Sequence, residues 1–465
     1  MTRRTVLFVC HNHPSVRPGG AENYAYELFE SFAGSDEFSP LFLAKGGRPL
    51  GRSGRSHEGT YIAPVGDRPD DYFFYTDGYE YDWLFGTLTD KDYYSTHFRK
   101  VLESMRPDVV HFQHLMFLGY DAIRLVRNVL PDAAIVLTLH EYLPMCHRQG
   151  QLLRTFDNQP CAGPSPRRCH ECFPDIAPQQ FFLRRQFIQS HLSLVDRFVA
   201  PSAFLAEQYV RWGISKDKIV VEENGRSFHE EPAIVEPRPH RDRFAFFGQI
   251  SPYKGVDVLL EAMHVVAPPP TYERSLVELM TPRRRSTDVD TTFPRPRLTV
   301  HGANLELQEP AFQDRIAELA TQTSTSVTMA GRYDWRRLGE LMRSVDWVVL
   351  PSIWFENSPL VIQEAFYHGR PVLCSDIGGM AEKVRHERDG LHFRAGDADD
   401  LAAVIRRAAS TPGLWDRLRE GIEPVHSVVE HRERLSQLYA QLLETPRRPT
   451  GSPVRVTGRE LTHAG

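Results

Sequence analysis

Long apolar runs and an excess of positive charge are both missing from this chain of 465 residues. No apolar stretch approaches the roughly 20 residues that a helix needs to span a bilayer. The apolar residues after Arg3 and Arg4 are soon interrupted by His11 and His13, so we expect a first strand there rather than a signal peptide. The net charge of −5 gives no reason to expect nucleic acid as a partner. We therefore expect a cytoplasmic protein.

Cysteine is also scarce, and its distribution is uneven. Four of the six cysteines fall within 27 residues, at Cys146, Cys161, Cys169 and Cys172. Cytoplasmic cysteines are seldom paired in disulfides, and four thiolates at such spacing suit a tetrahedral zinc ion. We therefore predict that a structural zinc staples the loop-rich insert 142–175. Free thiols and an iron–sulfur site remain the alternatives.

Short β-rich runs alternate with helical patterns almost throughout, which is typical of parallel sheets with helices on both faces. The chain length suits two domains of about 200 residues each. We therefore predict an α/β fold with two doubly wound, Rossmann-like domains. The predicted boundaries are 1–230 for the first domain, 231–243 for a linker, 244–428 for the second domain with a flexible insert at 268–297, 429–445 for a C-terminal helix and 446–465 for a disordered tail.

The strands and helices follow from the same patterns. The predicted strands are Val6–Cys10, Val109–Phe112, Ile135–Leu139, Arg197–Ala200, Ile219–Val221, Phe244–Gln249, Leu298–His301, Val327–Met329, Trp347–Leu350 and Pro371–Ser375. The predicted helices are Ala21–Ala33, Val256–Ala267, Gln313–Ala320, Leu338–Val345, Leu401–Ala409 and His431–Leu443. The first helix has an apolar stripe at helical spacing, which we assign to the core.

The most informative segment is 351–375. A loop carrying Glu356 follows a short apolar strand, and a helix then opens with Ser358 as its expected N-cap and Pro359 at its first position. Glu364 lies eight positions after Glu356, inside this helix. A helix N-terminus attracts phosphate, and carboxylates accept hydrogen bonds from sugar and ribose hydroxyls. The pattern therefore favours a nucleotide-sugar site.

This arrangement resembles the E-x7-E signature of retaining glycosyltransferases of family 4, which have the two-domain GT-B fold. The similarity continues through 368–372 and 378–382. It implies that Glu356 contacts the donor sugar and that Glu364 contacts the ribose of the nucleotide. It also assigns donor contacts to Asn357, Ser358 and Leu360. The chain departs from many family members in having no glycines at 357–359, where Pro359 has no N–H to donate.

A second motif of the same family has a counterpart at 246–255. Gly248 ends a predicted strand, and Lys254 follows in the loop before the next helix. A lysine there can neutralise the charge on a departing nucleoside diphosphate. The family usually has an arginine directly after this glycine, whereas this chain has Gln249. Either Lys254 carries more of the role, or a nearby arginine such as Arg332 or Arg336 substitutes.

The first domain offers its own candidates. Gly19 and Gly20 precede the first helix, resemble a Gly-Gly element of the family, and let a ligand approach the backbone at a helix N-terminus. His140 follows a strand at a place where a histidine recurs in the family near the donor sugar. We expect it to donate a hydrogen bond to the sugar or to organise the transition state. His111 and His114 are lower-ranked candidates for acceptor contact.

The resemblance implies transfer of a sugar from a nucleotide-sugar donor to an acceptor hydroxyl, with retention and with no cofactor required for catalysis. The acceptor would be a saccharide or lipid-linked, in cell-surface polysaccharide or glycolipid synthesis, with peripheral contact at the inner face of the membrane. In the GT-B fold a C-terminal helix returns to the first domain. Two alternatives stay open: an inactive nucleotide-sugar-binding or docking protein, favoured by Gln249, and a GT-B nucleotide-sugar epimerase, which the E-x7-E pattern disfavours.

Overall fold

The computed structural model describes residues 3–47, 61–76, 81–228, 230–235, 237–238, 240–267 and 295–445. Most of the predicted flexible insert, at 268–294, and the predicted tail, at 446–465, lie outside the described residues. Two parallel sheets with helices on both faces organise the described part of the chain, as the alternation of strand and helix patterns predicts.

The first domain is built around an eight-stranded sheet. Its strands are β1 (Arg4–Cys10), β2 (Phe38–Lys45), β3 (Ile62–Pro64), β4 (Asp71–Phe74), β7 (Val109–Phe112), β8 (Ala134–Thr138), β9 (Arg197–Ala200) and β10 (Ile219–Val221), and a separate hairpin pairs β5 (Tyr81–Asp82) with β6 (Thr87–Leu88). The order across the sheet is β10-β9-β8-β7-β1-β2-β4-β3. All neighbours are parallel except β3 and β4. The central strands are mostly apolar and buried because helices cover both faces.

Six helices of this domain lie among the described residues. They are α1 (Gly20–Phe32), α2 (Lys91–Met105), α3 (Asp121–Val129), α4 (Pro166–Cys172), α5 (Pro178–Leu192) and α6 (Ala203–Trp212). The predicted apolar stripe of α1 is confirmed, since Tyr24, Leu28 and Phe29 are fully buried against the sheet. No helix within the described ranges combines the length and the apolar character that crossing a bilayer requires.

The second domain is built around a six-stranded parallel sheet. Its strands are β11 (Arg243–Gln249), β12 (Arg297–Ala303), β13 (Val327–Met329), β14 (Trp347–Leu350), β15 (Val372–Ser375) and β16 (Gly390–Phe393), in the order β13-β12-β11-β14-β15-β16. Its helices are α7 (Val256–Val266), α8 (Pro310–Gln322), α9 (Leu338–Ser344), α10 (Leu360–Tyr367), α11 (Gly378–Lys383), α12 (Ala398–Ser410) and α13 (Leu414–Glu420). Successive strands run in one direction, so their carboxyl ends meet at a single edge of the sheet.

The last described helix, α14 (Val428–Glu444), packs against the first domain. Ser427 caps it and forms a reciprocal capping box with Glu430, which satisfies two N–H groups at the helix start. Further along, the Tyr439 ring stacks on Phe32 of α1, and its hydroxyl meets His111 Nδ1 at 2.6 Å. This packing brings the end of the described chain back beside the first sheet.

Candidate functional site

A lysine and a glutamate meet at the carboxyl edge of the second sheet. Glu356 lies in the loop after β14, and its Oε1 accepts hydrogen bonds from Lys254 Nζ at 2.5 Å and from Ser352 Oγ at 2.8 Å. The glutamate is only 7% exposed, whereas the lysine is half-buried. The two residues are 102 positions apart in sequence. The structure therefore brings together the predicted sugar-binding carboxylate and the predicted diphosphate-binding cation.

Two glycines allow this close approach. Gly255 follows Lys254 with φ of +67°, and a Cβ there would lie 1.9 Å from the Pro351 carbonyl oxygen. At Gly379 a Cβ would lie 1.5 Å from the Asn357 carbonyl oxygen. The Gly379 N–H donates to the Glu356 carbonyl at 2.7 Å. Neither turn tolerates a side chain, so the glycines fix the loop that carries Glu356.

The helix after this loop begins one residue later than predicted. α10 starts at Leu360 with Pro359 at the N-cap position, so the prediction of Ser358 as N-cap and Pro359 as first helical residue is wrong. The Ser358 hydroxyl is engaged elsewhere, because it accepts a hydrogen bond from Lys383 Nζ at 3.1 Å. The first N–H groups of the helix therefore belong to Leu360 and Val361.

Glu364 is held by an arginine that the sequence analysis did not single out. Arg226 Nη2 donates to Glu364 Oε1 at 2.8 Å, and its Nη1 donates to Glu27 of α1 at 2.5 Å. Burial raises the pKa of Glu364, and the positive charge of Arg226 opposes this shift. The guanidinium thus bridges the two domains and occupies the carboxylate that we assigned to the ribose. The sequence signal that could have identified Arg226 is its position as a basic residue directly after Asn224 and Gly225.

The loop after β14 also contacts the first domain. The Asn357 side chain donates to the Leu139 carbonyl at 3.1 Å and accepts from Ser202 Oγ at 2.9 Å. A Cβ on Gly20 would lie 3.9 Å from Leu360 Cδ1. The predicted donor residues 356–360 therefore face Gly20 and the end of β8, where His140 follows.

His140 lies among buried polar side chains of the first domain. Its Nε2 is 3.3 Å from Gln113 Oε1, and its ring meets the Tyr24 ring edge-on at 5.3 Å. Burial lowers the pKa of His140 to about 3, so its imidazole is neutral at physiological pH. A neutral imidazole with so low a pKa holds hydrogen bonds but is a poor proton acceptor.

His11 and Glu22 lie on the same side, and the sequence analysis gave them no role. His11 Nε2 is 3.0 Å from Glu22 Oε1, and the His11 ring lies 4.1 Å from the ring of His114. Gly19 lies against this carboxylate, since a Cβ there would be 2.4 Å from Glu22 Oε2. The available signal for Glu22 was its place in the Gly-Gly-Ala-Glu segment. The predicted Gly19–Gly20 element is thus lined by the Glu22 carboxylate and its partner His11.

The two lower-ranked histidines have different surroundings. His111 is fully buried, with Nδ1 at 2.6 Å from the Tyr439 hydroxyl and Nε2 at 2.7 Å from Thr138 Oγ1. Both of its nitrogens are engaged within the core, so an acceptor does not reach it in this structure. His114 keeps some exposure, and its Nε2 lies 3.6 Å from Glu141 Oε1. Burial raises the pKa of Glu141 to about 8.

The remaining predicted donor residues lie at the end of β11. Gly248 adopts a φ of +155°, and Gln249 is exposed. Both arginines that were considered as substitutes lie at the surface and are paired with acidic side chains, Arg332 with Glu306 at 3.4 Å and Arg336 with Asp334 at 3.7 Å. The Lys254 ammonium is the cation that the structure places against Glu356.

The four clustered cysteines line the insert that precedes α5. Cys146 and Cys161 pack against the core of the first domain, whereas Cys169 and Cys172 lie on α4. Burial raises the pKa of the Cys146 thiol and raises that of Cys169 to about 11. No three of these sulfur atoms, all of which belong to described residues, lie within 4.8 Å of one another. The zinc ion at this insert stays a prediction.

Comparisons with known proteins connect this geometry to a family. Residues 18–227 match the model of Glycosyltransferase Family 4, and residues 227–423 match that of Glycosyl transferases group 1. Over 190 residues the chain is 30% identical to a D-inositol 3-phosphate glycosyltransferase of Jonesia denitrificans. This match covers 39% of this chain and 38% of that protein. It is 24% identical to a glycogen synthase of Mycobacterium tuberculosis over 89% of this chain and 87% of that protein.

A solved structure shares the fold. The sucrose-phosphate synthase of Thermosynechococcus elongatus superposes with a TM-score of 0.64 at 17% identity, covering 95% of this chain and 99% of that one. The two family models meet at residue 227 and together span residues 18–423. With both domains matched and the GT-B fold shared, the chain belongs to the family 4 glycosyltransferases.

Proposed function

We propose that this protein transfers a sugar from a nucleotide-sugar donor to an acceptor hydroxyl and retains the anomeric configuration. The observation that carries the proposal is the pair formed by Lys254 and Glu356 at the carboxyl edge of the second sheet. Open α/β sheets bind their ligands at this edge. The loop that holds Glu356 also contacts the first domain next to His140, so a bound donor would lie between the domains.

In this proposal Lys254 stabilises the leaving diphosphate. Negative charge grows on the diphosphate as the bond to the sugar breaks, and an ammonium already positioned beside it lowers the barrier. The N–H groups of Leu360 and Val361 at the start of α10 add a favourable dipole. When the diphosphate becomes the partner of Lys254, Glu356 is released to accept hydrogen bonds from the sugar hydroxyls.

Glu364 would hold the ribose, and the rings beside it would hold the base. Phe247 and His301 stack with centroids 4.8 Å apart and planes 4° apart, and the Tyr333 ring meets both edge-on. Burial raises the pKa of Tyr333, and the charge of Glu364 raises it further. Because the charge of Glu364 acts on Tyr333, the Tyr333 side chain lies near the Glu364 carboxylate, and the two stacked rings contact Tyr333. Flat rings next to a hydroxyl-binding carboxylate suit a nucleoside.

The acceptor would attack from the side of the first domain. Its hydroxyl oxygen forms the new bond to the anomeric carbon on the face that the diphosphate leaves, and the hydroxyl proton passes to the departing phosphate oxygen. His140 would orient the sugar through a hydrogen bond, because its low pKa makes it a weak base. Closure of the two domains around both substrates would exclude water, which would otherwise compete as acceptor.

We further propose a saccharide or a lipid-linked saccharide as the acceptor, in the synthesis of a cell-surface polysaccharide or glycolipid. The relatives support more than one acceptor chemistry, since one is named for an inositol phosphate and the other for glycogen. A lipid-linked acceptor would require peripheral contact with the inner face of the membrane. The products formed with each class of acceptor would decide between them.

Calorimetric titration with UDP, GDP, ADP and dTDP sugars tests the donor site. We expect one donor to bind to the wild type and to bind at least tenfold more weakly to Lys254→Ala, because a charged hydrogen bond contributes on the order of 1.5–3 kcal/mol. Lys216→Ala is a matched control, since Lys216 is exposed on a short turn far along the chain from the motif. If a folded Lys254→Ala variant binds the donor as tightly as the wild type, the proposed donor site is wrong.

Gln249 favours one competing function. A neutral, exposed side chain stands where the family's diphosphate motif usually has an arginine, which is compatible with a protein that binds nucleotide sugars without turnover. Product analysis separates the possibilities. Transfer releases nucleoside diphosphate and a glycoside, epimerisation yields a new nucleotide sugar, and a binding protein yields neither.

A further inference from the structure

We propose that Glu222, His426 and His431 form a binding site for a divalent transition-metal ion of the zinc type. Within the described ranges, these residues are the one set of at least three His, Cys, Asp or Glu side chains whose ligand atoms all lie within 4.8 Å of one another. Glu222 Oε1 is 2.9 Å from His426 Nε2 and 3.4 Å from His431 Nδ1. Ligands of one tetrahedral ion at about 2.0–2.2 Å are separated by similar distances.

The backbone holds the three residues in place from two parts of the chain. Glu222 directly follows β10, His426 precedes the N-cap of α14, and His431 lies in the second turn of this helix. Arg226 joins the two segments, since its N–H donates to the His426 carbonyl at 3.0 Å and its carbonyl accepts from the Val428 N–H at 2.9 Å. At Gly225 a Cβ would lie 2.6 Å from His431 Cβ, so only glycine lets the helix approach this closely.

Outer contacts orient the ligands as they do in known metal sites. The second ring nitrogen of His431, Nε2, lies 2.7 Å from the Tyr24 hydroxyl, which fixes the ring and directs Nδ1 toward Glu222. Arg434 Nη1 donates to both carboxylate oxygens of Glu222, to Oε2 at 3.1 Å and to Oε1 at 3.2 Å. Metal-ligating histidines and carboxylates typically have such hydrogen-bonded partners. Glu222 Oε1 faces His426 Nε2 and His431 Nδ1, and a metal ion bound there would replace the contact of Arg434 with Oε1 and leave its contact with Oε2.

The donor set selects the kind of ion. Two imidazole nitrogens and one carboxylate oxygen suit zinc, cobalt or nickel rather than calcium or magnesium, which prefer oxygen ligands. Three protein ligands leave a fourth position open. His426 also lines a cavity of about 310 Å³ between the domains, which gives an ion a route from solvent.

Bound metal would connect the returning helix to the first domain and to the candidate active site. Glu222 belongs to the first-domain sheet edge, whereas both histidines belong to the segment that leads into and forms α14. His431 contacts Tyr24, and the Tyr24 ring in turn meets His140. We therefore assign the metal the role of fixing α14 against the domain whose cleft face holds His140.

The test separates this site from the cysteine cluster. The full-length chain with Cys169→Ser and Cys172→Ser is freed of metal with a chelator, and Zn²⁺ is then titrated calorimetrically. We expect about one equivalent to bind, with at least tenfold weaker binding after adding His426→Ala, which removes a proposed ligand that does not belong to the buried apolar core. His386→Ala is the control, since that exposed histidine also lies beside a glutamate, at 3.6 Å from Glu387.

A second variant and a spectrum complete the test. Tyr24→Phe removes only the hydroxyl next to His431 and should weaken zinc binding roughly tenfold. Co²⁺ in the background with Cys169→Ser and Cys172→Ser should give the visible bands of a tetrahedral site without thiolate charge-transfer absorption. Zinc binding that is unaffected by His426→Ala, or that disappears with the two cysteines, would overturn the proposal.

Discussion

On the second-domain face of the cleft, Glu356 and Glu364 are each paired with a basic side chain, Lys254 and Arg226. On the first-domain face, His140 and Glu141 are instead held neutral by burial, with pKa values of about 3 and about 8. The donor residues on one face therefore keep their charge in ion pairs, whereas burial keeps these two residues of the other face neutral.

The contrast matches what each face would bind under the proposed function. A nucleotide-sugar donor has two negatively charged phosphates, so its face needs cations that can exchange one anionic partner for another. An acceptor hydroxyl is uncharged, and a face of neutral hydrogen-bonding groups binds it without the cost of desolvating an ion. The difference teaches that a lysine or arginine partner indicates the donor side and that a residue held neutral by burial indicates the acceptor side.

The largest expected effect is on turnover and comes from the donor face. Lys254→Ala removes the ammonium that would stabilise the leaving diphosphate, and we expect kcat to fall by on the order of a hundred- to a thousandfold. The measurement is release of nucleoside diphosphate with the donor identified by calorimetry. Glu356→Gln combined with Lys254→Ala controls for the carboxylate that the single variant leaves buried without its counter-ion.

A smaller effect is expected at the second ion pair of this face. Glu364→Ala removes the carboxylate that would accept the ribose hydroxyls, and donor affinity should fall on the order of tenfold. Arg226 keeps its other partner, Glu27, so its guanidinium is not left without a counter-ion. A folded Glu364→Ala variant that binds the donor as tightly as the wild type would show that the pair is structural and that only Lys254 distinguishes the donor face.

Much of the fold could be predicted from the sequence, because short buried strands in parallel sheets are continuous apolar runs. The bounds of β7, β9, β10, β13 and β14 agree with the predicted ones. β2 (Phe38–Lys45) was missed although it lies inside the first sheet. Its sequence includes Pro40, which pairs with Val6 of β1, and a proline normally argues against an interior strand.

The sites show where local sequence patterns stop being informative. Lys254 and Glu356 were predicted because each lies in a short motif with family counterparts. The bridge from Arg226 to Glu364 joins residues 138 positions apart, and no local spacing reveals it. His426 and Glu222 are 204 positions apart. Their proximity is set by the return of α14 to the first domain, which is a property of the whole fold.

The cysteine insert offers a further test of the first-domain face. If zinc binds the four thiolates, the metal rather than burial would determine the ionisation state of these cysteines. Cys169→Ser with Cys172→Ser would then lower the melting temperature by a few degrees, and a chelator would lower that of the wild type by at least as much, because it would also remove metal from the site at Glu222, His426 and His431. Cys10 and Cys374 are buried outside the insert and are unchanged in the variant, so a change in melting would come from the insert. Unchanged melting, together with a zinc content that the two substitutions do not lower, would identify free thiols.

The smallest expected effect concerns Glu141 and depends on pH. Burial raises the pKa of Glu141 from the ordinary value of 4.5 to about 8, so between these pH values the folded state holds a proton that the unfolded state has released. This group therefore stabilises the fold less and less as the pH rises from 4.5 to 8. Glu141→Gln keeps the acceptor for the Leu143 N–H and cannot ionise.

We expect the free energy of unfolding of Glu141→Gln, relative to that of the wild type, to increase from pH 5 to pH 8 by on the order of 1–2 kcal/mol. The effect is limited to this size because the Glu141 side chain keeps partial exposure to solvent. Urea unfolding midpoints at several pH values measure this difference. Glu171→Gln is the control, because Glu171 is exposed on α4 in the same insert. Parallel pH profiles for Glu141→Gln and the wild type would mean that Glu141 is ionised in the folded state. The first-domain face would then carry charge as the donor face does, and the contrast between the two faces would rest on His140 alone.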